Sequence, residues 1–535
     1  MRVTLKGAIR TAWQLRLAGA VALGIALAFP ALASAAQSFA VTSATGFPAG
    51  GHPSYTTTQT LDTSHGGPGP VVITLAPGVL ASLAANPGCI KTVHYDSSCE
   101  IGTGSASTSI PGLSLSLTAY LVPPTSGGAA GIDLVSSAPG VQPTHVEVFL
   151  QQTASGNVQS VLKLDLSNLG AIGGSLTSMS LTVNGTLGSK PFTRMPTNCS
   201  PGPPSTLTIT YSDGTPEKST ASPDFAPTGC DSLPFNPTLS ASAAKDPHDS
   251  GTKVVTTQTQ GADEAAGEST TLILPWPALS SNLSALSIQN TSTPVGSAVV
   301  TSPLQPAPLS GVAYLTGGPL TPTLTLRFPP PVALTLVGTV SLTGHSVTFS
   351  NLPDVPQTSL VVTLFGGSKA AESASCAPPG GLMRGTFTGQ NGKTITVTQP
   401  LTVNGCPTAP SISRASLGGL ARGKPSLHFK LTRGSNAPNL KSIVVALPSG
   451  LSFSSTKLGK GISVSAPHTL SAHGGHLTVT VKRTASSVSV AIGRPALVES
   501  KQLQRRLRTR SLHSVKVQIT VTDAGGASSS FAVTG

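Results

Sequence analysis

The sequence predicts an all-β protein: tandem antiparallel β-sandwich modules followed by an immunoglobulin-like sandwich. Three observations predict it. Gly (57) and Pro (46) make up about a fifth of the 535 residues, charged residues are only 10%, and apolar residues recur with period two in short runs. Long solvated helices need Glu, Lys, Ala and Arg on their outer faces, and this composition starves them. Hydrophobic content of 38% with so little charge also excludes a wholly disordered chain. The length allows three to five domains.

Residues 1–35 read as a signal peptide. Arg2, Lys6, Arg10 and Arg16 form a basic start, residues 17–29 an apolar run, and Ala33-Ser34-Ala35 a small-residue cleavage site. The run is shorter than the about 20 apolar residues a span requires. No later stretch is long enough to cross a bilayer, so the expected location is secreted or extracellular, with retention on the cell wall as an option. The six cysteines agree with export. They fall as Cys89/Cys99, Cys199/Cys230 and Cys376/Cys406, an even count of sequence-adjacent pairs expected to form three disulfides. In the chain-entropy model the two longer loops contribute about 3.6 kcal/mol each and the short one about 2.8. Zinc at Cys89, His94 and Cys99 is set aside, because a fourth ligand and any paired C-x-x-C are missing.

Residues 36–236 and 237–406 read as two copies of one module. Thr57-Thr58-Gln59-Thr60 matches Thr256-Thr257-Gln258-Thr259, and the same offset pairs Leu75 with Leu274 and Leu80 with Leu279. Gly102 and Ala119-Tyr120-Leu121 match Gly296 and Ala313-Tyr314-Leu315. Leu166-Ser167-Asn168-Leu169 meets Phe349-Ser350-Asn351-Leu352, and the later cysteine pairs follow in order. Both copies end in a strand running into a turn dipeptide, Asp213-Gly214 or Asn391-Gly392, expected as two-residue hairpins with positive φ at both central residues. Residues 324–328, 332–340 and 360–364 read as strands. A short helical turn fits residues 80–86 and little else is helical.

Leu-x-Pro near the module start, a cysteine pair, Val295-Gly296-Ser297-Ala298, Ala313-Tyr314-Leu315, the run from Phe349 through Pro353-Asp354-Val355-Pro356, and Gly389-Gln390-Asn391-Gly392-Lys393 carry a resemblance. Across residues 38–406 the chain resembles the repeats of large secreted proteins from actinobacteria, for which no activity is assigned. The first copy lacks the Pro-Asp-Val-Pro element and has Gly170-Ala171-Ile172-Gly173; the second lacks the early cysteine pair. The resemblance implies an extracytoplasmic location and supplies no catalytic residues.

Composition changes after Cys406. Residues 407–535 hold 17 Lys plus Arg against only Glu499 and Asp523, whereas residues 37–406 are mildly acidic. Leu427, Phe429 and Leu431, then Leu477, Val479 and Val481, then Val515, Val517, Ile519 and Val521 alternate with polar partners, which suits an immunoglobulin-like sandwich. Residues 497–512 alone look helical. Lys501, Arg505, Arg506, Arg508 and Arg510 cluster there as candidates for contact with a polyanion, outside the cell an anionic wall polymer or acidic polysaccharide rather than nucleic acid.

Catalytic signatures are missing. Gly392-Lys393-Thr394 lacks the upstream glycine of a phosphate loop, with Phe387 in its place. His468, His473 and His476 surround Gly474-Gly475 as a hairpin loop would. Asp133, Glu147, Asp165 and Asp354 are scattered carboxylates that only the fold could pair. Trp276, between Pro275 and Pro277, is expected to plug a core at a strand end. The expectation is a non-enzymatic structural or interaction protein without metal or cofactor; the alternative is a secreted carbohydrate-binding or carbohydrate-active protein.

Overall fold

The computed structural model describes residues 36–167, 175–200, 202–245, 251–281, 293–318, 321–367, 370–376 and 381–535. Residues 1–35, expected as a signal peptide, and Gly170-Ala171-Ile172-Gly173 lie outside them. The fold is all-β, with tandem antiparallel sandwich modules and a C-terminal immunoglobulin-like sandwich.

The first sheet runs Ser38–Thr42, Tyr55–Thr60, Leu176–Val183, Glu100–Thr108, Ser114–Val122, Ala130–Ser136, Thr144–Gln152, Val158–Asp165, Pro68–Thr74, Thr206–Tyr211, Pro216–Thr220. The second runs Thr238–Lys245, Thr252–Thr259, Ser359–Leu364, Gly296–Thr301, Leu309–Gly318, Thr321–Arg327, Thr335–Ser341, Ser346–Phe349, Gly267–Ile273, Leu382–Gly389, Thr394–Pro400. Strand for strand the two orders coincide. Each sheet also closes on itself through one parallel seam. Phe39 bridges Ala221 in the first, with Val41 N donating to Pro223 O at 2.7 Å; Ser242–Ala244 pairs with Thr402–Asn404 in the second. Closure removes the exposed edges at which sheets aggregate and encloses one continuous core in the first module.

The cysteines pair as the spacing implies. Cys89 joins Cys99, Cys199 joins Cys230 and Cys376 joins Cys406, and none of the described cysteines is a free thiol. The two later bridges tie the approach to each terminal hairpin to the segment beyond it. Cys230 marks one of the few helical turns among the described residues. It opens a single turn of 3-10 helix, Cys230–Ser232, because Gly229 at φ 79° reverses the chain just before it. Ser232 N and Ser232 Oγ both donate to Gly229 O, and Leu233 N donates to Cys230 O at 3.0 Å. The turn buries Cys230 while its mate Cys199 stays at the surface, and the Cys230 amide points at Cys199 Sγ, 3.3 Å away.

The terminal hairpins themselves are not two-residue turns. Gly214 and Gly392 have φ near +80°, but Asp213 and Asn391 do not. Tyr211 N reaches Thr215 O at 2.9 Å, and Gly389 N reaches Lys393 O at 2.8 Å, so each is a longer loop with glycine in the left-handed position. Asp213 Oδ1 and Asn391 Oδ1 instead accept the amides of Thr215 and Lys393.

In residues 407–535 a four-stranded sheet (Ser411–Gly418, Ser426–Thr432, Ser487–Gly493, Ile462–Val464) faces a five-stranded one (His468–His473, His476–Ala485, Leu440–Ala446, Lys516–Asp523, Ser528–Thr534). Leu427, Leu431, Leu477, Val479, Val517 and Ile519 are fully buried between them. His473 pairs with His476 across Gly474-Gly475, a hairpin. The helix expected from residue 497 begins only at Lys501. Leu497–Glu499 is a strand, because Leu497 is drawn into the core opposite Phe453. Residues 80–86 likewise hold a strand, Leu80–Ala81, and a turn rather than a helical turn, since Leu80 pairs with Arg194.

Trp276 is not a core plug. It is 59% exposed and stacks face to face on His345, ring centroids 4.4 Å apart. The chain turns at Pro275, Leu279 N bonds Pro275 O, and the smaller Ala278 and Leu279 fill the interior in its place.

Candidate functional site

The helix Lys501–Arg508 is set by its sequence. Ser500 caps it by accepting the Leu503 amide at 3.1 Å. Leu503 is buried and Leu507 half-buried, which turns the basic residues outward. Lys501, Arg505, Arg506, Arg508 and Arg510 are all exposed. Arg508 Nε donates to Ala421 O at 2.7 Å, docking the helix beside the turn Leu420–Arg422 and the exposed Arg422 and Lys424. Of the two acids in this region, Glu499 is sunk beneath the surface, where burial pushes its carboxyl up against the opposing charges of Arg494 and Arg508. Asp523 is engaged with the Ala527 amide of its own hairpin.

Pairing of the neighbouring strands Ala130–Ser136 and Thr144–Gln152 brings two of the scattered carboxylates together. Asp133 lies opposite His145 on neighbouring strands, and His145 and Glu147 share a face two residues apart. His145 Nδ1 is 2.7 Å from Asp133 Oδ1, and its Nε2 is 3.1 Å from Glu147 Oε2. Tyr95 completes the chain by donating to Asp133 Oδ2 at 2.5 Å. Burial, then the bond to Asp133, push the Tyr95 phenol up to about 12. Glu147 accepts the amides of Thr125, Ser126 and Gly128 and the Thr125 hydroxyl. Burial raises its carboxyl, but the Thr125 amide, His145 and the Gly128 and Ser126 amides outweigh this and take it down to about 2. A carboxylate so fully occupied anchors the 125–128 loop and leaves no lone pair facing a substrate.

The other two carboxylates stay apart. Asp165 accepts the Ser167 amide in its own turn. Asp354, in the Pro-Asp-Val-Pro element that the first copy lacks, crosses to that copy. It accepts Thr197 N at 2.6 Å, Thr197 Oγ1 at 2.6 Å and Asn198 N at 2.9 Å, while its own amide donates to Asn157 Oδ1. Thr197 Oγ1 in turn accepts the Ala266 amide. Gln152 and Thr335 exchange two further bonds across the junction.

One cluster had no counterpart in the sequence reading. Asp62, His65 and Glu217 each offer a ligand atom, all within 4.8 Å of one another, a donor set able to hold a divalent cation. Asp213 Oδ2 lies 2.9 Å from His65 Nδ1 and leaves Nε2 toward Glu217, 3.7 Å away. The bond to Asp213 pushes the His65 imidazole up. The loop and the hairpin that supply these residues are about 150 positions apart, and the pairing of Pro68–Thr74 with Thr206–Tyr211 sets them side by side.

Among the described residues no helix is long and apolar enough to cross a membrane. No protein-family model matches the chain, and no curated protein does. Among solved structures, a Corynebacterium diphtheriae protein described as membrane-anchored aligns with 81% of this chain and 94% of its own, at 9% identity and a TM-score of 0.18. The Enterococcus faecalis MSCRAMM ACE, which binds its ligands by the collagen hug model, aligns with 57% of this chain and 94% of its own, at 9% identity and a TM-score of 0.16. At these scores neither likeness bears on what this chain does.

Proposed function

We propose that this is an exported structural or interaction protein of the cell envelope that performs no catalysis. Its duplicated modules form a disulfide-stapled body, and its C-terminal domain contacts anionic wall polymer. The exposed cations Lys501, Arg505, Arg506 and Arg508 of the helix, with Arg510 just beyond its end and Arg422 and Lys424 beside it, carry this reading. Cations gathered on one face with the nearby acid buried produce a field that attracts a polyanion. Such contacts are screened by salt. Co-sedimentation of the full-length protein with purified anionic wall polymer tests it. Binding should fall steeply as salt rises, and the combined Arg505→Ala, Arg506→Ala, Arg510→Ala variant should lose it even at low salt. Binding indifferent to salt and to the variant defeats the reading.

The exposed Trp276 supports a second reading, carbohydrate recognition. One face of its indole is stacked on His345, leaving the other to a sugar ring. Trp276 is the single tryptophan beyond the leader, so its fluorescence reports binding directly. Titration with neutral oligosaccharides should shift the emission, and an unchanged spectrum rejects this alternative.

A further inference from the structure

The junction between the modules holds a buried guanidinium that the fold does not require. Arg194 is only 3% exposed, and its Nε and Nη2 have no hydrogen-bond partner among the described residues. Donors left unbonded in the interior are costly, and natural proteins rarely tolerate them without an acceptor nearby. Asp354 is not that acceptor at hydrogen-bond range, since its oxygens are taken by Thr197 and Asn198. Arg194 stands opposite Leu80, and at the matching place in the second module Ala374 stands opposite Leu279. An alanine therefore satisfies the sheet at this point. Gly50 leaves the space in which the guanidinium lies, for a Cβ there would come within 3.1 Å of Nη2.

Arg194 lines a cavity of about 240 Å³ between the modules. Lys190, His52 and Pro191 line it from the first module, and Asp263 and Pro356 from the second. His52 Nδ1 bonds the Thr193 carbonyl, so its Nε2 is the ring nitrogen left for other partners. The cavity thus combines two cations, an imidazole and apolar proline walls, with one exposed carboxylate, Asp263, at its border. Burial pulls the Arg194 guanidinium down, and the Asp354 and Asp263 charges only offset it, so an added negative charge relieves the site.

We propose that this inter-module cavity binds a small oxyanion-bearing molecule, with Arg194 as its anchor and Lys190 as its second cation. The shared chemistry is a carboxylate or phosphate group on a body no larger than a single sugar residue. The site is separate from the basic helix, and its fate is independent of the wall-polymer reading.

Calorimetric titration of the full-length, disulfide-intact protein with inorganic phosphate and with D-glucuronate tests the proposal, D-glucose serving as the neutral control. One of the anions should bind at a single site and glucose should not. Binding of phosphate alone or glucuronate alone identifies the source of the oxyanion. Arg194→Met should weaken binding at least tenfold. Because that variant could disturb the junction, Lys190→Ala on the rim supplies an independent reading and should weaken binding several-fold, whereas Lys91→Ala, an exposed cation that does not line the cavity, should leave it unchanged. The proposal is overturned if neither anion binds, or if binding survives both Arg194→Met and Lys190→Ala.

Discussion

Gly102 and Gly296 occupy the same point in two different sheets. Each pairs with a fully buried alanine, Ala119 or Ala313, and each lies against a threonine carbonyl of the opposite neighbouring strand, Thr182 or Thr363, where a Cβ would collide. Two strands can approach so closely only where one of them lacks a side chain.

Gly102→Ala and Gly296→Ala should therefore each cost about 1–3 kcal/mol, the range for overpacking a tight site. Urea midpoints measure this. Gly67→Ala, which meets nothing within 4 Å, is the control and should be near neutral. Equal midpoints for all three would mean that the close approach is not real.

Asp354→Ala removes the acceptor for two amides and a hydroxyl at the junction. Leaving those donors unpaired should cost about 2–4 kcal/mol. The expected signature is a split of thermal unfolding into separate steps for the two modules. A single unshifted transition would show that Asp354 does not couple them.

Glu147 makes the fold acid-sensitive. Its carboxyl is held at about 2 against an ordinary 4.5. A folded value below the unfolded one gives stability that is fully present above about pH 4.5 and lost as pH falls toward 2, in all about 3 kcal/mol. Glu147→Gln should flatten the stability profile across that window. An unaltered acid limb would mean other carboxylates govern it.

Glu372 acts in the opposite direction. It is buried, one of its oxygens lacks a partner, and burial pushes its carboxyl up to about 7, opposed only by Ser281. Its neutral form suits the interior, so its own contribution to stability is fully present below about pH 4.5 and is lost as pH rises through 7. Glu372→Gln should stabilise the protein by about 3 kcal/mol at pH 8 and change little at pH 4. Chemical denaturation at the two pH values decides the matter.

Much of the fold was legible because its signals are local. Leu427, Phe429 and Leu431 alternate with polar residues, and a period of two has one structural meaning when one face must leave water. Glycine and proline marked the turns, although the turn type was misread: Asp213 accepts an amide through its side chain instead of adopting positive φ. The pairing of Cys230 with Cys199 was legible from spacing, but the 3-10 turn that Cys230 opens was not, since three residues carry no periodicity. Trp276 was misplaced because no local pattern says that Ala278 and Leu279 reach the core first.

By itself the sequence determined the strands, the cysteine pairs and the concentration of cations in the last domain, since each depends on neighbours along the chain. Tertiary structure alone decided which distant groups would meet. Asp133 reaches Tyr95, Asp354 reaches Thr197, Asp62 reaches Glu217, and Arg194, two of its nitrogens without a partner among the described residues, lines a cavity. Those meetings follow from pairing strands within each sheet and seating one module on the other, where burial makes a charge seek a partner regardless of its distance in sequence.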